Sequence, residues 1–207
     1  MKNVIILDYG LGNVMSVKNA CRFFEKNSSI TNDINLIDKA THLIVPGVGS
    51  FKEGMSNLKN KKLDEVVKKF YYSKRPILGI CLGLQLFFSS SEEYGITDGL
   101  DLIKGKVISI KSKVSSEQKI PVIGWKDLIF KREIQEKYIL ENFKPVFYFD
   151  HSFMVQPFNK DIIKASYYLD ELDIPSMIVK DNFFGCQFHP EKSGQIGLNL
   201  LENFLNH

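Results

Sequence analysis

The stretch Gly79-Ile80-Cys81-Leu82-Gly83 restricts this chain more than any other. An apolar run, Pro76 to Ile80, enters it and a helical-looking run, Leu82 to Ser89, leaves it, which puts Cys81 on a sharp turn between a strand and a helix. A side chain at such a turn stands out from the end of a sheet, and glycines on both sides remove its steric cover, as in a nucleophile elbow. The helix behind it aims free N–H groups and a partial positive charge at the sulfur, favouring thiolate over thiol. Cys81 is therefore the candidate nucleophile. A free cysteine is more often an inert buried side chain, so these residues alone leave both readings open.

Val4 to Leu7 is a continuous apolar run of the kind buried on both faces of a parallel sheet. It ends in Asp8-Tyr9-Gly10-Leu11-Gly12-Asn13. From Asn13, a good N-cap, apolar residues recur with helical period at Val14, Val17, Ala20, Cys21 and Phe24. Two glycines before the helix are one fewer than a dinucleotide fingerprint needs, so a nucleotide site is a weak reading. Short strands are expected at Ile34 to Ile37 and His42 to Val45, and helices at Glu53 to Leu58 and Lys61 to Tyr72. The loop Pro46-Gly47-Val48-Gly49-Ser50-Phe51 carries two glycines that let backbone N–H groups approach a ligand. Loops leaving the carboxyl ends of neighbouring parallel strands share one crevice, so this loop is expected to face Cys81; an ordinary turn is the plainer alternative.

From Leu102 onward the pattern turns strand-rich, at Val107 to Ile110, Val146 to Phe149, Ile162 to Ser166, Met177 to Val179 and Phe183 to Phe188. A helix over Gly197 to Leu205 follows, and Ser112 to Lys119 reads as a polar connection. The expected fold is α/β: a doubly wound, mixed, mainly parallel sheet flanked by helices, with a strand-rich second half. At 207 residues, 44% hydrophobic and without a linker tract, residues 1–207 are expected to form one domain.

Charge and cysteine usage exclude several classes. The net charge is only +3, and the one dense basic patch, Lys59 to Lys62 with Lys68 and Lys69, reads as a solvated helix face, so nucleic acid is not an expected partner. Cys21, Cys81 and Cys186 are odd in number and lack metal-type spacing, so neither a disulfide framework nor a metal site is expected, and a reducing cytoplasm fits. The apolar run before Asp8 is too short for a signal peptide, and no run approaches the ~18 residues of a membrane span.

A nucleophilic thiol needs a base, and the chain offers His42, His151, His189 and His207. In Gln187-Phe188-His189-Pro190-Glu191 the proline pushes His189 into an extended conformation, where residues two apart share a face. Glu191 is then placed to accept from the His189 ring. Asp150 and His151, adjacent on a strand, point to opposite faces. Cys81, His189 and Glu191 thus form a candidate triad in which imidazole shuttles the proton and the carboxylate orients it. Such acid–base help contributes about 10² to 10⁴ in rate, so donors to an oxyanion are needed as well. Leu82 N–H is one candidate, and Val48 or Gly49 N–H the other.

At these residues the sequence resembles the triad (class I) glutamine amidotransferases. Gly79 to Gln85 is similar to their nucleophile motif and Gln187 to Glu191 to their His/Glu motif. Within that family, Tyr9 to Asn13, Pro46 to Phe51, Ile120 to Trp125, Tyr148 to Phe153 and Lys192-Ser193 are most similar to glutaminase subunits of imidazole glycerol phosphate synthases. The resemblance implies a flavodoxin-like sheet, no cofactor, and hydrolysis of L-glutamine to glutamate and ammonia through a cysteinyl thioester. It implies that Gln85 and the backbone of His151, Ser152 and Phe153 hold the substrate's α-amino and carboxylate groups. It also implies a heterodimer with a (β/α)8-barrel cyclase that takes up channelled ammonia and makes imidazole glycerol phosphate and aminoimidazole carboxamide ribotide in histidine biosynthesis, with Asn13, Trp125 and Lys192 at the interface. The family usually has His and Asn within the stretch that here reads Ile120 to Lys126, and an aliphatic residue at Asp150. A paralogue serving another acceptor, such as a sugar-modifying enzyme, is the alternative. A cysteine peptidase or DJ-1-like protein would share the elbow without needing Gln85 or the His-Ser-Phe strand, and a non-catalytic binding module would predict a missing triad member.

Overall fold

The computed structural model describes residues 2–24, 28–131 and 144–207. In chain order its strands are β1 (Val4–Leu7), β2 (Ser28–Thr31), β3 (His42–Val45), β4 (Ile77–Ile80), β5 (Phe88–Ser91), β6 (Thr97–Asp98) and β7 (Ile103–Ser109). They continue with β8 (Val122–Asp127), β9 (Ile129–Phe130), β10 (Val146–His151), β11 (Phe153–Pro157), β12 (Ile163–Leu169), β13 (Leu172–Lys180) and β14 (Phe183–Cys186). The helices are α1 (Val14–Arg22), α2 (Ile34–Asp38), α3 (Phe51–Asn60), α4 (Leu63–Tyr72), α5 (Leu82–Gln85) and α6 (Gly194–Asn206).

The continuous apolar runs become the middle of one sheet, ordered β2-β1-β3-β4-β14-β13-β12-β9. Pairing is parallel from β2 to β14 and antiparallel beyond. β1, β3, β4 and β14 are buried along their whole length, as strands covered on both faces must be. Side chains alternate between two cores. Val4 and Ile6 pack with Val17 and Cys21 of α1 and with Leu201 and Phe204 of α6, whereas Ile5 and Leu7 pack with Phe51 and Met55 of α3 and Val67 and Phe70 of α4. Helices on both faces make the sheet doubly wound and put the carboxyl ends of β1, β3, β4 and β14 along one edge.

The second half adds two smaller sheets. One, ordered β11-β7-β5-β6, packs Phe88, Val107 and Val155 into the second core. The other is an antiparallel ribbon of β8 and β10, with Trp125 opposite Tyr148 and Ile123 opposite Asp150. Phe147, Phe149 and His151 point into the core, whereas Ile123 and Trp125 stand outward at 61% and 55% exposure. Among the described residues no helix is long and apolar enough to cross a membrane.

Two expectations fail for identifiable reasons. Ile34 to Ile37 is helix α2, because the Asp33 side chain accepts from Asn35 N–H and caps it. The strand before it is the polar Ser28–Thr31 at the sheet edge, where one strand neighbour suffices and no apolar pattern is required. The run Leu82 to Ser89 is helical only to Gln85. The carbonyls of Leu86 and Phe87 accept from Leu100, Leu102 and Ile103 N–H groups, and Phe88 pairs with Ile103, which turns this stretch into β5.

The elbow lies hard against β3. A β-carbon on Gly83 would strike the Val45 carbonyl oxygen, so backbone meets backbone there. Gly83→Ala should cost about 1–3 kcal/mol or more through overpacking, read as a lower urea midpoint; an unchanged midpoint would contradict this packing.

Candidate active site

β4 ends at Ile80, and Cys81 turns the chain with φ 53° and ψ −111°, a conformation that residues with a β-carbon adopt only under constraint. The constraint is visible. Cys81 N–H donates to the Cys186 carbonyl at 2.7 Å, and Leu84 N–H donates to the Cys81 carbonyl at 3.0 Å. Gly79 has no room for a side chain against the backbone of Gly83 and Leu84. The glycines beside Cys81 are therefore demanded by close approach, beyond the uncovering that the sequence predicts. Because α5 is a single turn, its dipole is short, and the sulfur's immediate surroundings are set mainly by side chains.

Two such side chains come from the segment after β14. The His189 ring donates through Nδ1 to Glu191 Oε1 at 2.9 Å, with side-chain exposures of 3% and 2%. His189 is extended, as the following proline requires, but Pro190–Lys192 is a 3-10 turn. The carboxylate thus folds back through a turn instead of sharing a strand face. Burial alone would lower the His189 pKa, yet its hydrogen bonds to Cys81 and Glu191 prevail and push it up to about 10. The second side chain is Gln187, fully buried, whose Nε2 donates to the Cys81 sulfur at 3.6 Å.

In front of the sulfur lies a cavity of ≈300 Å³. Val48, Gly49, Cys81, Leu82, Gln85, His151, Ser152 and Phe153 all line it, so the structure gathers these sequence-predicted residues at one place. His189 and Glu191 are not among its lining residues. The His151 ring is held elsewhere, its Nδ1 2.8 Å from the Phe153 carbonyl and Nε2 3.0 Å from the Tyr167 hydroxyl, and burial pushes its pKa down to about 4. Asp150 points away from that ring and lines the cavity.

Asn13, Trp125 and Lys192 do not line the cavity. Trp125 packs edge-on against Tyr148 with centroids 6.0 Å apart, and the Lys192 ammonium lies 5.5 Å from the Tyr148 ring centroid. Asn13 caps α1 by accepting from Ser16 N–H, and α1 packs on the turn that carries Lys192.

Two of the candidate oxyanion donors, Leu82 and Val48 N–H, are not turned to the site. Leu82 N–H donates to the Gly47 carbonyl at 3.4 Å. With that carbonyl aimed at the elbow, the trans peptide turns Val48 N–H away from it. The loop itself is gripped from below, where the buried Tyr9 hydroxyl donates to the Pro46 carbonyl at 2.8 Å. Burial and the nearby Cys81 charge raise the Tyr9 pKa far above its ordinary value, so it stays a donor.

Sequence reasoning missed Gln187, Tyr9, Glu93, Tyr94, Pro121 and Asp150 as parts of the site. Glu93 lines the cavity with a carboxylate whose Oε2 accepts from Phe51 N–H at 2.6 Å. Gln187 had a signal: an amide inside the apolar run Phe183 to Phe188 must find partners when buried. Among the described residues no group of three His, Cys, Asp or Glu side chains converges to hold a metal.

Comparison with known proteins agrees with this geometry. Residues 6–207 match the family described as glutamine amidotransferase class-I. The chain is 41% identical over 211 residues to imidazole glycerol phosphate synthase subunit HisH 1 of Legionella pneumophila (strain Paris), covering 99% of each chain. It is 44% identical over 206 residues to subunit HisH 2 of Methanococcus maripaludis, covering 98% of each. Among solved structures it superimposes on PurLQS from Thermotoga maritima with a TM-score of 0.73 at 18% identity, covering 99% of this chain and 98% of the other, a likeness of fold. From the family match and the full-length identity, the chain belongs to the class I glutamine amidotransferases and is an enzyme of that family.

Proposed function

We propose that the chain is the glutaminase subunit of an imidazole glycerol phosphate synthase, hydrolysing L-glutamine to L-glutamate and ammonia. The observation that carries the chemistry is a cysteine on a strained turn at a cavity wall, beside an imidazole that a buried carboxylate orients. The pathway is supported by the relatives' names over the whole chain.

In this reading His189, whose ring pKa is raised, takes the proton from the Cys81 sulfur as the attack begins. The sulfur attacks the side-chain amide carbon of glutamine. His189 then protonates the nitrogen that leaves as ammonia, and the neutral ring next takes a proton from the water that opens the thioester to glutamate. Glu191 keeps the ring's Nδ1 occupied, so Nε2 faces the reaction.

Gln85 orients the substrate through one group only. Its Nε2 donates to the Phe153 carbonyl at 3.3 Å and to Gln187 Oε1 at 3.0 Å, which consumes both hydrogens. Its oxygen is left, and an oxygen accepts from the α-ammonium, as does the Glu93 carboxylate. The α-carboxylate then falls to the backbone of His151, Ser152 and Phe153.

Rotation of the Gly47–Val48 peptide would release Leu82 N–H and bring Val48 N–H toward the sulfur, supplying two oxyanion donors at once. Each such donor is worth about 10² to 10³ in rate, so the isolated subunit should be slow. The partner that reverses this is a (β/α)8-barrel cyclase docked on the outward ribbon face around Trp125, with Asn13 and Lys192 beside it, receiving ammonia through a sealed channel in the cytoplasm. Asp150 at the cavity mouth and Lys126 on the ribbon keep a second reading in play, a paralogue serving another acceptor.

Cys81→Ala should lower ammonia release from glutamine by about 10⁴-fold or more, while equal rates would remove Cys81 as nucleophile. Titrating the cyclase subunit into the wild type should raise glutamate production steeply, and no response would refute this partnership.

The pH dependence has a definite sign. Because the folded His189 pKa of about 10 lies above the ordinary 6.5, its contribution to stability is complete below about 6.5 and disappears as pH rises through about 10. Glu191→Gln should lower the NMR titration midpoint of the His189 ring and flatten the loss of stability across that window; an unmoved midpoint would exclude Glu191 as its partner.

A further inference from the structure

Inside the site, one buried polar side chain has no part in the triad. Gln187 follows β14, two residues before His189, and is completely buried. Its backbone N–H donates to the Ser176 carbonyl at 2.9 Å, so the residue is anchored to the sheet. A side-chain amide hidden this way is costly unless its two ends are hydrogen-bonded. Both are: Oε1 lies 3.0 Å from Gln85 Nε2, and Nε2 lies 3.6 Å from the Cys81 sulfur.

Which end faces the sulfur follows from the network. The Phe153 backbone carbonyl can only accept, so Gln85 must turn its NH₂ toward it, at 3.3 Å. That NH₂ also meets Gln187, which must then present oxygen to Gln85 and NH₂ to the thiol. The assignment starts from a group with no ambiguity and leaves one orientation at the sulfur.

We infer that Gln187 is a further catalytic residue, an amide donor to the Cys81 sulfur that also ties the nucleophile to Gln85. This inference rests on Cys81 being the nucleophile. An amide N–H stabilises an anion without itself titrating, so its help persists at every pH where the protein is folded. It complements His189, whose charge comes and goes in each half-reaction. Through Oε1 it also fixes Gln85 with its oxygen toward the cavity, so one side chain holds both the attacking atom and a substrate contact in register.

Two substitutions separate these roles. Gln187→Met keeps the bulk and removes both hydrogen bonds. Gln187→Glu keeps an acceptor for Gln85 and sets a carboxylate against the sulfur. The readout is the pH profile of iodoacetamide alkylation of the full-length chain, with the modified thiol identified by mass spectrometry, alongside kcat and KM for glutamine. With Cys81 as the alkylated residue, Gln187→Met should raise the pH of half-maximal alkylation and leave the plateau at high pH unchanged, because there the thiol ionises unaided. It should also cut kcat/KM about 10- to 100-fold, the range for a hydrogen bond to a charged group. Gln187→Glu should raise the half-maximal pH further than Gln187→Met while holding KM closer to wild type. A lowered plateau with an unmoved midpoint in both variants would show a merely structural residue and overturn the inference. Alkylation confined to Cys21 or Cys186 would instead overturn the reading of Cys81 as nucleophile.

Discussion

The turn at Cys81 is over-determined, and the rest of the site takes its position from it. A residue with a β-carbon held at φ 53° is strained on its own. Here the strain is opposed by the Cys186 carbonyl beneath Cys81 N–H and by three backbone segments, at Gly79, Gly83 and Val45, that meet without side chains between them. The parallel arrangement of β3, β4 and β14 is what delivers those three segments to one edge. One strand end supplies the thiol, the next supplies Gln187 and His189, and the loop after β3 supplies the Gly47 carbonyl that occupies Leu82 N–H. The elbow, the segment that carries His189 and the Pro46 to Phe51 loop thus leave successive strand ends of one sheet.

The outward ribbon is wired to the same place. Tyr148, on its exposed side with Trp125 and Lys192, accepts through its carbonyl from His189 N–H at 2.9 Å. Its own N–H donates to Ser193 Oγ at 3.0 Å, and that hydroxyl donates to the His189 carbonyl at 2.6 Å. A displacement of β10 by a docked partner would reach the imidazole through hydrogen bonds rather than through soft packing. Tyr9 holds the start of the Pro46 to Phe51 loop through the Pro46 carbonyl. The arrangement gives a physical route by which a surface contact sets the readiness of the thiol.

Much of this was legible in the sequence wherever local rules and tertiary demands agree. The apolar runs at Val4, His42 and Ile77 are strands buried on both faces, Asn13 caps α1, and Cys81 and His189 come off the neighbouring strand ends of β4 and β14, whereas the strand face expected to join His189 and Glu191 is a 3-10 turn. Legibility failed where one outweighed the other. Ser28–Thr31 is an edge strand whose polar residues carry no periodic signal, and Ile34 to Ile37 became helical because a single side chain, Asp33, capped it. Leu86 to Phe88 left the helix because distant N–H groups of residues 100–103 claimed its carbonyls, a contact no local window contains. The orientation of the Gly47–Val48 peptide and the partners of the Gln187 amide were hidden for the same reason, since each is decided by residues far away in the chain.

The central claim is that glutamine is opened by covalent attack of the Cys81 sulfur. The most direct measurement is rapid acid quenching of the enzyme during turnover of isotopically labelled glutamine, followed by mass analysis of its peptides. A labelled glutamyl adduct is expected on the peptide that contains Cys81, formed and lost at rates that bracket turnover. Ammonia release without any adduct there, or with the label on another peptide, would contradict it.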